Sequence, residues 1–227
     1  MTLIQIIDSA RFLLNEDLDS GRTFPDNTSS FFKDDTLQRY VNIIQEEVQN
    51  EMVMSYEDYF LTSIFLPIEG GCAAYTLASG TMKVRRVEDV RGSDQNSTEL
   101  RPVTINHKET NSFELNSSIL VGGGYYLRGN EIVLTSTPSF TDASAIQVHF
   151  VKKAADLVAA SAVSEIPPEH HGTIVYGVLK MGLFQQQADS TKAELEYERR
   201  LIRLKGYAET RQIQRPRLVK STYGDDD

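Results

Sequence analysis

"IPPEHHGTIVYGVLKMGLFQQQADSTKAELEYERRLIRL", residues 166–204, decides how the chain folds. Here a long run of short β-branched segments gives way to a helical period. Ile174, Val175, Val178, Leu179, Gly182 and Leu183 fall on one broad face, and Ala193, Tyr197, Leu201 and Leu204 on a second. "ADST" separates the two faces, so two helices joined by a short turn are expected to pack antiparallel. Thr191, three residues before Glu194, reads as a capping box for the second helix. The two prolines suit the first turn of the first helix, where a missing N–H would have had no partner. Glu169 suits the positive end of its dipole. His170 and His171 are adjacent and diverge by about 100° on a helix. They cannot grip one metal as two histidines four apart can. "PEHH" is therefore read as a helix start with two partly exposed histidines.

Upstream, residues 2–14 carry Leu3, Ile6, Ile7, Ala10, Leu13 and Leu14 at helical spacing, with Asp8 and Arg11 on other faces. Residues 15–33 have the Gly, Pro, Asn and Ser density of a loop. "DDTLQRYVNIIQEEVQNEM" (34–52) places Leu37, Val41, Ile44 and Val48 on an apolar stripe. Asp34 or Asp35 is expected to cap it.

From about residue 68 the pattern becomes that of strands: "AAYTLAS" (73–79), "MKVRRVEDV" (82–90), "ELRPVTI" (99–105), "GYYLRGNEIVLTS" (124–136) and "AIQVHFVKKA" (145–154). Strict alternation would set Met82, Val84 and Arg86 against Lys83, Arg85 and Val87. Gly129-Asn130 reads as a hairpin turn, and "NHKETNSFELNSS" (106–118) as a short helix followed by a loop. The expected class is α+β. N-terminal helices (1–67) and a C-terminal helical hairpin (161–207) form one bundle, because neither set has a full core alone. A small, mainly antiparallel β module (68–160) is inserted between them, and an extended C-terminal arm (208–227) follows.

At 227 residues, 40% hydrophobic and 24% charged, the chain has an ordinary globular composition. No apolar run approaches the roughly 20 residues of a membrane helix. The apolar start has no basic leader, so no signal peptide is expected. The single cysteine, Cys72, rules out an intrachain disulfide framework. Charge is uneven. Residues 199–220 hold eight Lys/Arg (Arg199, Arg200, Arg203, Lys205, Arg211, Arg215, Arg217 and Lys220) against Glu209. Residues 1–198 hold 15 basic and 28 acidic side chains, within a formal total of −9. An acidic body repels nucleic acid, and a basic strip attracts anionic surfaces.

Chemistry finds little purchase. No Gly-x-Ser-x-Gly elbow frames a serine. Cys72, after "EGG", is read as a small core residue. His149 shares a strand face with Gln147 and Val151, and His107 lies in polar loop sequence. "VGGGYYLRGN" (121–130) lacks the Lys-Ser/Thr of a phosphate loop and opens onto a strand. Its glycines are expected to permit a bend or a close approach to another subunit. No catalytic residue, metal site or cofactor is assigned.

An ordered series of segments carries more. It begins with "DDTLQRYVNIIQEEV" (34–48), an acid three residues before Leu37 followed by Tyr40 and Asn42. "YTLASG" (75–80) and "MKVRRVEDV" come next, then "YYLRGNEIVLTSTPSFTDASAIQVHFVKKAADL" (125–157), then the helical stretch from residue 166. Over residues 34–205 this series resembles the head-to-tail adaptor (connector) proteins of tailed bacteriophages. It especially resembles those of short-tailed phages, including the tail tubular protein A type.

The resemblance implies a structural virion protein of the neck, made in the host cytoplasm. Twelve copies would form a ring under the portal protein, extend the DNA channel and carry tail or nozzle proteins. Genomic DNA would pass without specific binding, an acidic wall keeping it from sticking. No membrane is involved. The resemblance also implies a portal-binding arm carrying Arg211, Arg215, Arg217 and Lys220, through charge-assisted bonds to acidic grooves. Loop tips at 91–98 and 121–126, with Arg91, Asp94, Gly122, Gly123 and Gly124, are expected to meet neighbouring copies or tail proteins. Other readings stay open: a tail-completion or stopper protein of the same neck, a nucleic-acid-binding protein using 199–220, and a hydrolase built on Cys72 or the histidines.

Overall fold

Thr2 starts the first helix with a reciprocal cap. Its hydroxyl accepts from the Gln5 N–H at 3.4 Å, and the Gln5 amide oxygen accepts from the Thr2 N–H at 2.9 Å. The computed structural model describes residues 1–16, 24–25, 31–91, 97–103 and 123–210, with the helical backbone of 211–212. The helices are α1 (Leu3–Leu13), α2 (Asp34–Tyr56), α3 (His171–Gln185) and α4 (Thr191–Gln212). The strands run from β1 (Leu61–Ile68) through β2 (Ala74–Thr76), β3 (Thr81–Asp89), β4 (Thr98–Glu99) and β5 (Arg101–Pro102). β6 (Gly124–Arg128), β7 (Glu131–Leu134) and β8 (Asp142–Lys152) complete the set. The fold is α+β. It forms two compact units, Met1–Glu57 with Ala154–Asp227, and Asp58–Lys153.

In the helical unit α3 packs against α1, α2 and α4. Its burial follows: Ile174, Val178 and Gly177 are inside, facing Leu37, Val41, Ile44 and Val48 of α2. Gly177 is required there, because a Cβ would lie 2.5 Å from Ile44 Cγ2. α4 runs antiparallel to α3, with Lys180 over the Tyr197 ring at 4.5 Å and Arg200 over Tyr176 at 4.5 Å. The buried stripe of α4 is Ala193, Tyr197, Leu204 and Ala208. α4 continues through Gln212, so residues 208–212 are helical rather than part of an extended arm.

Two N-terminal expectations are corrected. Arg11 is 3% exposed and donates to Asp34 Oδ1 at 2.8 Å, the Phe32 carbonyl at 2.6 Å and Glu16 at 2.9 Å. Asp34 therefore sits in the first turn of α2 as a buried ion-pair partner. Lys33 occupies the cap position, with no side-chain cap bond. At α4 the acceptor is Asp189, which takes the Thr191 N–H at 3.0 Å and hydroxyl at 2.6 Å. Thr191 is already inside the helix, and its hydrogen bond lowers the Asp189 carboxyl's pKa.

A polar stripe on α2 holds an extended segment that has no ladder of its own. Gln38, Asn42, Gln45 and Gln49 recur every three or four residues along one side of the helix. Gln49 Oε1 accepts from the Ala154 N–H at 2.8 Å, and Gln45 Nε2 donates to Ala155 O at 3.0 Å. Asn42 brackets Leu157, accepting from its N–H at 2.8 Å, and Gln38 donates to the same residue's carbonyl at 2.8 Å. Buried backbone groups must be paired, and here side-chain amides do it.

The β unit has two four-stranded sheets, ordered β1-β8-β3-β4 and β2-β7-β6-β5. Strands begin at Leu61, before the change of pattern read at residue 68. All described pairings are antiparallel except β5 with β6. One core joins the inner faces of both sheets: Leu66, Val87, Val148 and Phe150 from one, Tyr75, Tyr125, Ile132 and Leu134 from the other. The Gly129-Asn130 turn joins β6 and β7 with Arg128 opposite Glu131. β3 departs from strict alternation. The register against β8 slips between Val84 and Arg86, so Arg85 is an extra residue and Val84 and Val87 both turn toward the core. The helix-and-loop expected within 106–118 lies outside the described residues.

Candidate functional site

The loop-tip residues have specific local roles. Arg91 grips Asp89 with two bonds, Nε to Oδ1 at 3.0 Å and Nη2 to Oδ2 at 2.7 Å. Its guanidinium lies 3.7 Å over the Phe140 ring. Asp89 ends β3 with little exposure, so Arg91 is held against its own unit. Gly123 and Gly124 are buried. At Gly124 a Cβ would meet Val103 Cγ2 at 2.4 Å and the Arg101 carbonyl at 3.0 Å. The Thr135 hydroxyl clasps the same residue, accepting from its N–H and donating to its carbonyl, both at 3.0 Å. The close approach that requires glycine here is to strand neighbours in the same unit. Asp94 and Gly122 lie outside the described residues.

The basic strip is partly spent inside the helical unit. Arg200 bonds Glu196 at 2.9 Å as well as covering Tyr176, and Lys205 pairs with Glu51 at 2.7 Å. Arg199 remains largely exposed, 3.8 Å from Glu196. Of the four cations in residues 199–205, Arg200 and Lys205 are thus paired within the unit, while Arg199 and Arg203 face solvent. Arg211 lies in the last turn of α4, while Arg215, Arg217 and Lys220 lie outside the described residues.

His170 and His171 stand at the start of α3. A 3-10 turn at Pro168–His170 leads into α3, which starts at His171. His171 is 1% exposed, a correction to the partly exposed reading. Its Nε2–H donates to the Ile166 carbonyl at 2.8 Å, leaving Nδ1 as acceptor for the Met1 amine at 2.5 Å. Burial, chiefly, lowers its pKa. His170 packs at a tilt against Tyr207, ring centroids 4.9 Å apart and planes at 58°, and burial lowers its pKa too. His149 sits 3.9 Å from Glu88, which also pairs with Arg86. His107 lies outside the described residues. Cys72 is exposed in the turn before β2, contrary to the core reading. Its carbonyl accepts from the Tyr75 hydroxyl at 2.6 Å.

Among the described residues no three His, Cys, Asp or Glu side chains gather where they could hold a metal ion. No helix there is long and apolar enough to cross a membrane. A cleft of about 790 Å³ on the helical unit is lined by Tyr40, Lys180, Met181, Phe184 and Gln185, with Glu194 on its rim. Two of its polar side chains have partners: Tyr40 donates to Gln185 at 2.6 Å, and Lys180 covers Tyr197. Its apolar part is open, with Phe184 79% exposed. Exposed apolar surfaces of this kind suit protein contacts.

A protein-family model described as SU10 adaptor protein matches residues 1–220. No curated protein matches the chain.

Proposed function

The chain belongs to the SU10 adaptor protein family and is a bacteriophage adaptor, a structural protein; from this premise we propose that it is a head-to-tail adaptor of the virion neck. In this reading, copies form a ring of twelve below the portal protein, continue its DNA channel and present a platform to the tail or nozzle proteins. The observation that carries it is the family match over nearly the whole chain. The engagement of Arg200 and Lys205 within the helical unit favours it over a nucleic-acid-binding protein.

The portal contact is assigned to Arg211, Arg215, Arg217 and Lys220, at the end of α4 and beyond. Guanidinium groups form paired, charge-assisted bonds with carboxylates, so acidic portal grooves are the matching surface. The loop tips that run on from Arg91, with Asp94, and into Gly124, with Gly122 and Gly123, are proposed to meet neighbouring copies or the tail.

Quantitative mass spectrometry of purified virions tests the reading. A one-to-one ratio to the portal protein is expected, and absence from the particle would discard it. Truncation after Gln212, which keeps the buried Ala208, should leave unfolding unchanged and abolish portal docking. Normal docking by that truncate would refute the arm assignment.

A further inference from the structure

Among the described residues the β unit has four sheet edges, and they are unequal. β4, β2 and β5 span two, three and two residues. Such short edges offer almost no backbone to another chain. β1 spans eight residues, Leu61–Ile68, and carries no charged side chain. Among the described residues it pairs only with β8, from Leu61↔Val151 to Leu66↔Ile146. Every second residue in an edge strand turns its N–H and C=O away from its neighbour. No backbone hydrogen bond joins this side of β1 to another described segment.

Side chains along β1 are incompletely covered as well. Thr62 and Ile64 are only half-buried, although Ile64 packs against the sandwich core. On the outer face Leu61 and Phe65 are 41% and 52% exposed. One added strand would shield both sets, since cross-strand neighbours lie about 5 Å apart. Pro67 supplies no donor, which confines the open ladder to Leu61–Leu66.

We infer that the open edge of β1 is a strand-addition site for an extended segment of a partner protein, apolar at alternate positions. Glu69, exposed just past the strand, favours a basic residue at that end of the incoming segment. A second copy of this chain is a poor occupant. Its other described edges are too short, and pairing β1 with β1 would close a two-fold dimer rather than extend a ring. The inference rests on the adaptor reading for the setting in which the partner is met.

Hydrogen exchange of Leu61–Leu66 tests it, comparing the purified chain with the chain in neck complexes extracted from virions. Alternate amides should exchange quickly in the free chain and at least about tenfold more slowly in the complex. Phe65→Lys, at an exposed position, should leave the fold intact and abolish that protection. Unchanged exchange in a complex that contains the chain overturns the edge assignment and leaves the adaptor reading standing. Protection that appears in the isolated chain as its concentration rises would assign the edge to self-pairing and overturn the partner assignment. Absence of the chain from virions would remove both readings.

Discussion

The helical unit and the β unit solve the same problem in different ways. In the β unit, backbone groups pair with backbone along two sheets, and side chains are left to fill one core. In the helical unit an extended stretch, Ala154–Val158, runs beside α2 and relies on side-chain amides for its hydrogen bonds. The entry to α2 likewise depends on one buried guanidinium. A ladder shares its load over many equivalent bonds; an arrangement of single side chains does not. Substitutions of polar residues should therefore cost far more in the helical unit.

The sharpest break of that contrast is Arg11→Met. It leaves the Asp34 carboxylate buried without its cation and should cost about 3–5 kcal/mol in urea unfolding. Combining it with Asp34→Leu should return most of the loss, because an apolar pair needs no compensation. Next comes Gly177→Val. Overpacking against Ile44 should cost about 1–3 kcal/mol, and Ile44→Ala in the same chain should restore part of it.

Gln49→Ala sharpens the comparison directly. It strips the acceptor from the buried Ala154 N–H, which should cost about 1–3 kcal/mol. Gln147→Ala, on the exposed face of the β unit, removes only a bond to Ser63 and should stay within about 0.5 kcal/mol. Equal losses for the two glutamines would remove the distinction between the units.

The smallest effect is one of pH. His171 has a pKa lowered in the folded protein by burial, below its ordinary 6.5, so the unfolded chain binds the proton more readily. Its contribution to stability is full above pH 6.5 and is lost as pH falls through the lowered folded value. The thermal midpoint should decline on acidification through that window, and His171→Asn should flatten the decline.

Periodicity alone located α1, α2, α3 and most of α4, the Gly-Asn hairpin and the run of strands from residue 73. These elements each expose one face to a core, and that requirement is written into residue spacing. β1 was missed because "LTSIFLPI" is too uniformly apolar and polar-neutral to display a clear period, and its neighbours continue the helix pattern of α2. The bulge at Arg85 was invisible because alternation assumes an unbroken ladder. Of the candidate site, the basic character of residues 199–220 was legible, but its division into spent and free charges was not. Arg200 and Lys205 find their partners one turn away and on another helix.

By itself the sequence determined the α+β class, the order of helices, strands and helices, and the resemblance to phage adaptors. All three depend on local spacing and on short patterns in a fixed order. Only the tertiary structure decided that Arg11 and His171 are buried, that α2's amides hold a segment more than a hundred residues away, and that β1 is the long open edge among the described strands. A polar side chain carries no mark of its burial in its neighbours along the chain. Its environment is set by what folding brings against it, and the free energy of a charge or amide depends on that environment more than on its identity.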